Sequence, residues 1–328
     1  MKRIAVLTSG GDAPGMNPAI HAVSRASKRA GVEVLGIRRG YTGLLNSDFL
    51  LLDDQVITGM GRRGGTFLGS SRSPDFRTAE GQEKGLQIMK DNGVDGLVVI
   101  GGDGSLTGAL ALHRLGFPVI GLPGTIDNDL GGTDVGIGVD TALNTIIKLI
   151  DMIKDTATSH ERCFIVETMG RGSGYLAGMA TVSTQSHVAV IPEFPMNLER
   201  IVKVIEKRFV EKLKYTVIIL AEGVCSADEL SADLVAACEG IIPTDIRATV
   251  LGHVQRGGPP SHYDRLLGSQ LGQFAVGALL EGESGMMAGK IAGKMVLTDI
   301  ETVVSAKADT AENMISLATG LGVEFGDY

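Results

Sequence analysis

The sequence predicts an α/β protein with mostly parallel sheets, and three observations predict it. Short apolar runs repeatedly end in glycine turns that pass into helix-like segments. The run Thr216–Ala221 is apolar throughout rather than alternating, as expected for a strand buried on both faces. The chain has 328 residues, 44% of them hydrophobic, with 46 glycines and no tryptophan, which suits two modest domains rich in tight turns. Two halves of similar strand–glycine–helix design are apparent.

Taken in order, Ile4–Thr8 is the first strand. Ser9–Gly15 is a glycine loop leading to a helix from about Asn17, with Pro18 suited to its first turn and Gly31 ending it. That loop lacks the dinucleotide fingerprint, and the Walker A pattern is absent from the chain. Glu33–Ile37 is a second strand, and Asp53–Met60 leads to a short helix. Gly64–Arg72 is a glycine-and-serine loop ending in a cation that can meet a phosphate with bidentate geometry. Leu97–Ile100 is a strand ending on Gly101, Gly102, Asp103, Gly104 and Ser105. Ser105 is expected to cap a helix over Leu106–Leu115, with Gly116 at its C-terminal stop and Pro118 blocking further turns. Val119–Leu122 is the next strand, followed by Pro123, Gly124 and the acidic loop Thr125–Asp129. Two successive strands thus end in glycine turns that carry carboxylates, and in open parallel sheets ligands bind at strand C-termini near a switch point.

In the second half, Gly138–Thr141 is expected to start a long helix to roughly Asp155, where the chain crosses between domains. Cys163–Glu167 is a strand ending on Met169, Gly170 and Arg171. Arg162 stands at the opposite end of that strand, so it cannot face the same pocket within one simple sheet. Val188–Ile191 is a short strand. Asn197 is expected to cap an amphipathic helix to about Glu211, with Ile201, Val204, Ile205 and Phe209 on one face. Thr216–Ala221 ends on Glu222 and Gly223. His253 and Arg256 follow another strand, three residues apart, and Tyr263–Glu281 reads as a helix returning to the first domain.

Charge and composition narrow the function. A net charge of −8 argues against a nucleic-acid surface, so any phosphate site must be a local basic island. Three cysteines, Cys163, Cys225 and Cys238, are odd in number and show no C-x-x-C spacing; each is expected to be a buried apolar residue. No apolar stretch approaches the length of a membrane span, and Met1-Lys2-Arg3 precedes a first strand rather than a signal peptide. A cytoplasmic location is expected, without nucleic-acid or membrane partners.

The chemistry that fits is phosphoryl transfer from a nucleotide. Gly101, Gly102 and Gly104 leave room for a phosphate, their N–H groups can point at it, and the following helix start adds partial positive charge. Asp103 suits Mg²⁺, a hard ion that prefers carboxylate and water. Asp127 and Asp129 can divide the tasks of base and metal or helix contact.

G-G-D-G-S at 101–105 followed by P-G-T-I-D-N-D at 123–129 resembles the ATP-dependent 6-phosphofructokinases of bacterial type. G-G-D-G alone is shared with NAD kinases and diacylglycerol kinases; P-G-T-I-D-N-D is close to diagnostic. The segments 64–72 and 247–258 match the patterns G-G-T-x-L-G-[ST]-x-R and R-A-x-x-L-G-x-x-Q-R-G-G of the same family. The resemblance implies two Rossmann-like three-layer α/β/α domains with the active site in the cleft between them. Residues 1–138 plus about 257–305 would form a larger ATP-binding domain, and 139–256 plus about 306–328 a smaller fructose 6-phosphate-binding domain.

It also implies transfer of the γ-phosphoryl of ATP to the 1-hydroxyl of fructose 6-phosphate. Asp127 would be the base, Thr125 a donor to the transferring group, and Arg72 and Arg171 stabilisers of its charge. Asp103 and Asp129 would serve Mg²⁺. Gly11, Arg72, Gly102, Asp103, Gly104 and Ser105 would hold ATP. Thr125, Asp127, Met169, Gly170, Arg171, Glu222, His253 and Arg256 would hold the sugar phosphate, with Arg162 and Arg247 supplied to the site by an adjacent subunit of a homo-oligomer, commonly a tetramer. Arg77 matches a further cation without a defined role. Pyrophosphate-using relatives tend to carry Asp and Lys where this chain has Gly104 and Gly124, which favours ATP. The alternatives are a pyrophosphate-dependent enzyme, an NAD kinase, and a non-catalytic phosphosugar sensor. Finally, the family's second, regulatory anion site aligns with His21, Arg25, Asp54, Lys154, His187, Glu211 and Leu213. Arg25 and Lys154 are there offset by Asp54 and Glu211, with Lys212 and Lys214 as neighbours that could compensate. Weak effects of ADP and phosphoenolpyruvate are therefore expected.

Overall fold

The computed structural model describes the chain except for Glu161, Lys214 and residues 240–244, 306–310 and 326–328, and describes no side chains at 311–313. It divides into two compact units, Met1–Ile126 with Leu130–Thr141 and Arg256–Ala308, and Asp127–Asp129 with Ala142–Gln255 and Asp309–Tyr328.

The first unit begins with β1 (Arg3–Thr8), α1 (Met16–Arg29), β2 (Glu33–Ile37), α2 (Gly40–Leu45), β3 (Phe49–Leu51) and α3 (Asp54–Ile57). It continues through α4 (Ala79–Asp91), β4 (Gly96–Gly101), α5 (Asp103–Arg114) and β5 (Val119–Pro123). Helix α6 (Val139–His160) leads into the second unit, which holds β6 (Cys163–Thr168), α7 (Tyr175–Thr184), β7 (Val188–Val190) and α8 (Leu198–Val210). There follow β8 (Thr216–Ala221), α9 (Ala227–Cys238) and β9 (Ile246–Val250). The chain then returns to the first unit with α10 (His262–Glu281), β10 (Met286–Ile291), β11 (Lys294–Asp299) and α11 (Ile300–Ser305). It ends in the second with α12 (Ala311–Gly320) and β12 (Glu324–Phe325).

The first sheet has the order β11-β10-β5-β4-β1-β2-β3. Its interior pairs are parallel, and only the edges β3 and β11 run antiparallel to their neighbours. Leu7, Ile37, Leu97, Val99, Leu106 and Met287 are fully buried in its core. Each such side chain contributes about 1.5–3 kcal/mol on leaving water. The second sheet, β12-β7-β8-β6-β9, is parallel throughout, with Ile165, Val190, Ile218 and Leu220 in a separate core against α8 and α9. The first sheet reverses its direction of winding beside its first strand, between β1 and β4, whereas in the second the chain steps from β6 out to β7 and returns through β8 to β9. The gap between β1 and β4 is the switch point at which strand ends open toward ligands.

Several boundaries differ from the sequence expectation, each for a local reason. Helix α5 starts at Asp103, directly after extended Gly102, so Ser105 lies inside the first turn and is buried rather than capping from outside. Helix α1 starts at Met16 behind Gly15, which moves Pro18 to the third helical position, still within the turn that needs no intrahelical donor. Helix α6 runs past Asp155 to His160. Asn197 caps α8 as expected, accepting from the Arg200 N–H at 3.1 Å. The buried stripe of that helix runs through Ile201, Val202 and Ile205, and Phe209 in the last turn is 51% exposed. Cys163 and Cys238 are buried free thiols, with burial pushing Cys163 up to about 12, whereas Cys225 is only half-buried. No helix among the described residues is long and apolar enough to cross a membrane.

Candidate active site

In the first unit the loops after β1, β4 and β5 lie side by side because their strands pair in parallel register, Thr8 with Ile100 and Gly101 with Pro123. The Gly124 N–H donates to Gly101 O at 2.9 Å, and the Ser9 N–H to Ile100 O at 3.0 Å. Gly101 is packed so closely on Ser9 and Ser105 that a Cβ there would come within 2.5 Å of both. Gly104, in contrast, is exposed, with nothing within 4 Å of where its Cβ would stand. Asp103, also exposed, opens helix α5, whose unsatisfied N–H groups face the same end of the sheet. Thr125 stands beside Gly102, 3.5 Å from the place of a Cβ at that glycine.

The glycine loop after β1 is held by the Gly64–Ser70 segment. Thr8 Oγ1 meets Thr66 Oγ1 at 2.7 Å and Gly69 O at 2.9 Å, the Phe67 N–H donates to Asn17 Oδ1 at 2.6 Å, and Ser70 donates to Gly10 O. A cavity of about 340 Å³ lies among Gly10, Gly11, Asp12, Thr66 and Ser70. Arg72 ends this segment with an exposed side chain, and Arg77 is exposed as well. Arg256, grouped by sequence with the sugar phosphate, belongs to this unit. Its Nη1 donates to Asp12 O at 2.9 Å, and a Cβ on Gly11 would lie 2.7 Å from the same atom. Gly11 is therefore small for two reasons, access to the loop and room for this guanidinium.

From Gly124 to Leu130 burial alternates. Gly124, Ile126, Asn128 and Leu130 are buried, and Thr125, Asp127 and Asp129 are half-buried. The alternation gives the loop apolar anchors at Ile126 and Leu130 while Thr125, Asp127 and Asp129 stay partly exposed, with Asp129 Oδ1 turned inward. The Ile137 N–H donates to Pro123 O at 2.8 Å, which ties the start of this loop to the segment that precedes α6.

In the second unit, Met169, Gly170 and Arg171 follow β6, and Glu222 follows the adjacent β8. Gly170 has φ 130°, and a Cβ would lie 2.4 Å from Ser173 O, so the turn admits glycine alone. The Gly223 N–H donates to Gly170 O at 3.1 Å, and Arg171 Nε lies 3.7 Å from Glu222 Oε1. The Arg171 side chain is 81% exposed, so that pairing leaves most of its donors available. Gln255, to which sequence assigned no role, is fully buried; its Oε1 accepts from the Met169 N–H at 3.1 Å and its Nε2 donates to Gly252 O at 2.9 Å. It joins the turn after β9, where His253 is exposed, to the turn after β6. The glutamine of Q-R-G-G was the only signal for it. Arg162 and Arg247 lie at the opposite ends of β6 and β9, and both contact Asp245, at 2.8 and 2.9 Å. The structure thus separates these two cations from Arg171, Glu222 and His253.

Of the residues aligned with a regulatory site, His21, Arg25 and Asp54 line a cavity in the first unit and His187 and Glu211 one in the second, while Lys154 and Leu213 line neither. In the first, His21, Arg25, Lys28, Arg29 and Asp54 line about 1020 Å³ between α1 and α10. Asp54 accepts from Arg25 at 3.0 Å and from Lys28. In the second, His187, Lys207, Arg208 and Glu211 line about 530 Å³. His187 Nδ1 accepts the Val217 N–H, and burial together with the Arg208 and Lys154 charges holds the ring down at about 3, so it is neutral near pH 7. Lys154 donates to Thr184 O. Sequence alignment had omitted Lys28, Arg29, Lys207 and Arg208, which reach these cavities from neighbouring helix turns. Lys214 lies outside the described residues.

The chain folds as two α/β units with mostly parallel sheets, and the candidate loops sit at strand C-termini. The phosphofructokinase family model matches residues 3–279. The chain is 46% identical over 323 residues to an ATP-dependent 6-phosphofructokinase of Listeria monocytogenes, covering 98% of this chain and 100% of that protein. It is 47% identical over 320 residues to one of Thermotoga neapolitana, with 97% and 99% covered. Among solved structures, phosphofructokinase from Saccharomyces cerevisiae superposes with a TM-score of 0.87 at 33% identity over 98% of this chain; the chain spans 48% of that longer one. A pyrophosphate-dependent phosphofructokinase from Marinobacter aquaeolei shares the fold with a TM-score of 0.84 at 20% identity, covering 99% of this chain and 92% of that one. The chain belongs to the phosphofructokinase family.

Proposed function

We propose that this chain transfers the γ-phosphoryl group of ATP to the 1-hydroxyl of fructose 6-phosphate, with Asp127 as the base. The observation that carries the reading is the placement of the glycine turn Gly101–Ser105 and the loop Thr125–Asp129 on neighbouring parallel strands. ATP as donor and fructose 6-phosphate as acceptor agree with relatives 44–47% identical over nearly the whole chain.

The phosphates of ATP lie against Gly11, Gly102, Gly104 and Ser105, held by backbone N–H groups and the start of α5. Arg72 and Arg171 place guanidinium donors on the transferring group, where charge spreads over its oxygens, and Thr125 adds a hydroxyl donor. Asp127 accepts the proton of the attacking hydroxyl, a contribution of about 10²–10⁴-fold. Met169, Gly170, Arg171 and Glu222 hold the sugar, and His253 and Arg256 its 6-phosphate. Arg162 and Arg247 serve the site of an adjacent subunit in a homotetramer. Their position at the far strand ends, away from Arg171 and Glu222, is the reason to assign them there.

Hard oxygen donors suit Mg²⁺, and the described residues include no group of three or more His, Cys, Asp or Glu that could hold a metal by themselves. Mg²⁺ is commonly bound through one or two carboxylates plus substrate phosphates, and Asp103 and Asp129 would supply the carboxylates. When bound, Mg²⁺ would neutralise phosphate charge. The enzyme works in the cytoplasm in glycolysis.

Asp127→Asn keeps the size of the side chain and removes its proton-accepting capacity. Its kcat should fall by at least about 10²-fold with ATP binding near wild type. An unchanged kcat under conditions where chemistry limits turnover would remove Asp127 from the role.

A further inference from the structure

Asp264, in the first turn of α10, is fully buried, and nothing in the reaction as read above uses it. Its carboxylate accepts three hydrogen bonds. Oδ1 takes the Gly138 N–H at 2.8 Å, and Oδ2 takes both the Thr141 N–H at 2.8 Å and the Thr141 hydroxyl at 2.5 Å. These donors belong to the first turn of α6 and the glycine before it, so an acidic side chain from one helix caps the N-terminus of another. The exchange is reciprocal. Ser261 caps α10 by accepting the Asp264 N–H at 3.2 Å, its hydroxyl donates to Asp140 at 2.5 Å, and its own N–H donates to Thr141 Oγ1 at 3.0 Å.

The segment so anchored touches two of the glycine-bearing loops of the first unit, those after β1 and β5. Gly138 has φ 103°, and a Cβ there would stand 2.7 Å from Ala13 Cβ and 3.2 Å from Ile126 Cγ2. A Cβ on Gly136 would lie 2.8 Å from Thr125 O, and the Ile137 N–H donates to Pro123 O at 2.8 Å. Ile137 and Asp264 also close on Gly15, where a Cβ would meet Ile137 Cγ2 at 2.6 Å and Asp264 Cβ at 3.3 Å. Residues 136–138 therefore form a wedge between the loop ending at Gly15 and the loop Pro123–Ile126, and Asp264 grips the wedge at its far end.

We propose that Asp264 is a positioning residue for phosphoryl transfer, setting the Pro123–Ile126 loop through Gly136–Thr141. The proposal rests on the reading of Thr125–Asp129 as the transfer loop, which Asp127→Asn tests independently. Three donors converge on two oxygens, so Asp264→Asn must turn an amide NH₂ toward at least one of them. The grip opens on one side, and displacement of a reacting group by about 1 Å costs up to about 10²-fold in rate.

The test compares two substitutions in the same network. Asp264→Asn should lower kcat by about 10–100-fold while KM for ATP and for fructose 6-phosphate each stay within about 3-fold. Ser261→Ala removes the α10 cap and the bond to Asp140 but leaves all three donors on Asp264. It should lower Tm by about 2–6 °C with kcat within about 2-fold of wild type. If Asp264→Asn does not fold, Thr141→Val removes the hydroxyl donor to Asp264, and with it the acceptor of the Ser261 N–H, but keeps both backbone donors on the carboxylate; it should still lower kcat about 3–10-fold, measured per folded enzyme. A kcat preserved in the Asp264 or Thr141 variant, or lost equally in Ser261→Ala, would show that the network only stabilises the fold and would overturn the proposal. That result beside a strongly impaired Asp127→Asn would leave the transfer-loop reading standing.

Discussion

Gly104 separates what the protein tolerates from what its substrate tolerates. It is the second residue of α5, exposed, with open space where a side chain would go. Replacing it by Asp should not harm the fold. Aspartate has a somewhat better helix propensity than glycine, and a carboxylate in a first turn contributes about 0.3–1 kcal/mol through the helix dipole. Repulsion from Asp103 offsets part of this gain, so Tm should stay level or rise by up to about 3 °C. For ATP the expectation is opposite. If the phosphates lie over this turn, a new carboxylate about 5 Å from one phosphate charge costs about 3 kcal/mol at an effective dielectric constant of about 20, or about 10²-fold in KM for ATP. The assay is a coupled measurement of KM for ATP beside a thermal melt. Pyrophosphate should not become an efficient donor. The matching lysine at position 124 would need its neighbours to give way, because a Cβ there already meets Ile100, Met16 and the Gly101 backbone nitrogen at 3.0–3.1 Å. A KM for ATP within about 3-fold of wild type, in a variant of unchanged Tm, would refute the placement of the phosphates; a Tm lowered by more than about 5 °C would refute the reading of open space.

Two further outcomes are expected. Arg247→Ala should weaken fructose 6-phosphate by about 1.5–3 kcal/mol and leave ATP nearly unaffected, and mixing it with Asp127→Asn subunits should restore some activity; verified mixed oligomers without recovery would place the site within one chain. ADP and phosphoenolpyruvate should shift half-saturation by fructose 6-phosphate less than about 3-fold, because Asp54 occupies Arg25 and Lys28, and Asp54→Ala should strengthen whatever ADP effect exists by up to about 10-fold. A several-fold effector shift in the native chain that disappears in Arg25→Ala would contradict this.

The class of fold and the family were legible in the residues because both rest on local chemistry. Apolar runs such as Thr216–Ala221 form strands buried on both faces wherever they pack, and β8 has those bounds. Gly116 and Gly31 end their helices because each takes a positive φ that other residues resist. P-G-T-I-D-N-D named the family because a contiguous loop carries its pattern in one stretch of chain. Boundaries were less legible where a helix starts directly from a strand. Ser105 looked like a cap, but extended Gly102 lets α5 begin at Asp103, three residues before the expected start at Leu106.

What required the tertiary structure are the pairings between residues far apart in the chain. Gly11 and Arg256 are 245 positions apart and share one small space. Gln255 reaches Met169, Asp245 serves both Arg162 and Arg247, and Asp264 caps a helix that begins more than a hundred residues before it. None of these partners has a sequence signal, because a hydrogen bond depends on where parallel strands place their ends and not on the separation of residues along the chain. The sequence by itself determined which residue types could bind phosphate and which strands carry them. Only the packed sheets decided which of those residues are neighbours, because the parallel register brings the ends of β1, β4 and β5 to one edge and leaves Arg162 and Arg247 at the other end of their strands from Arg171.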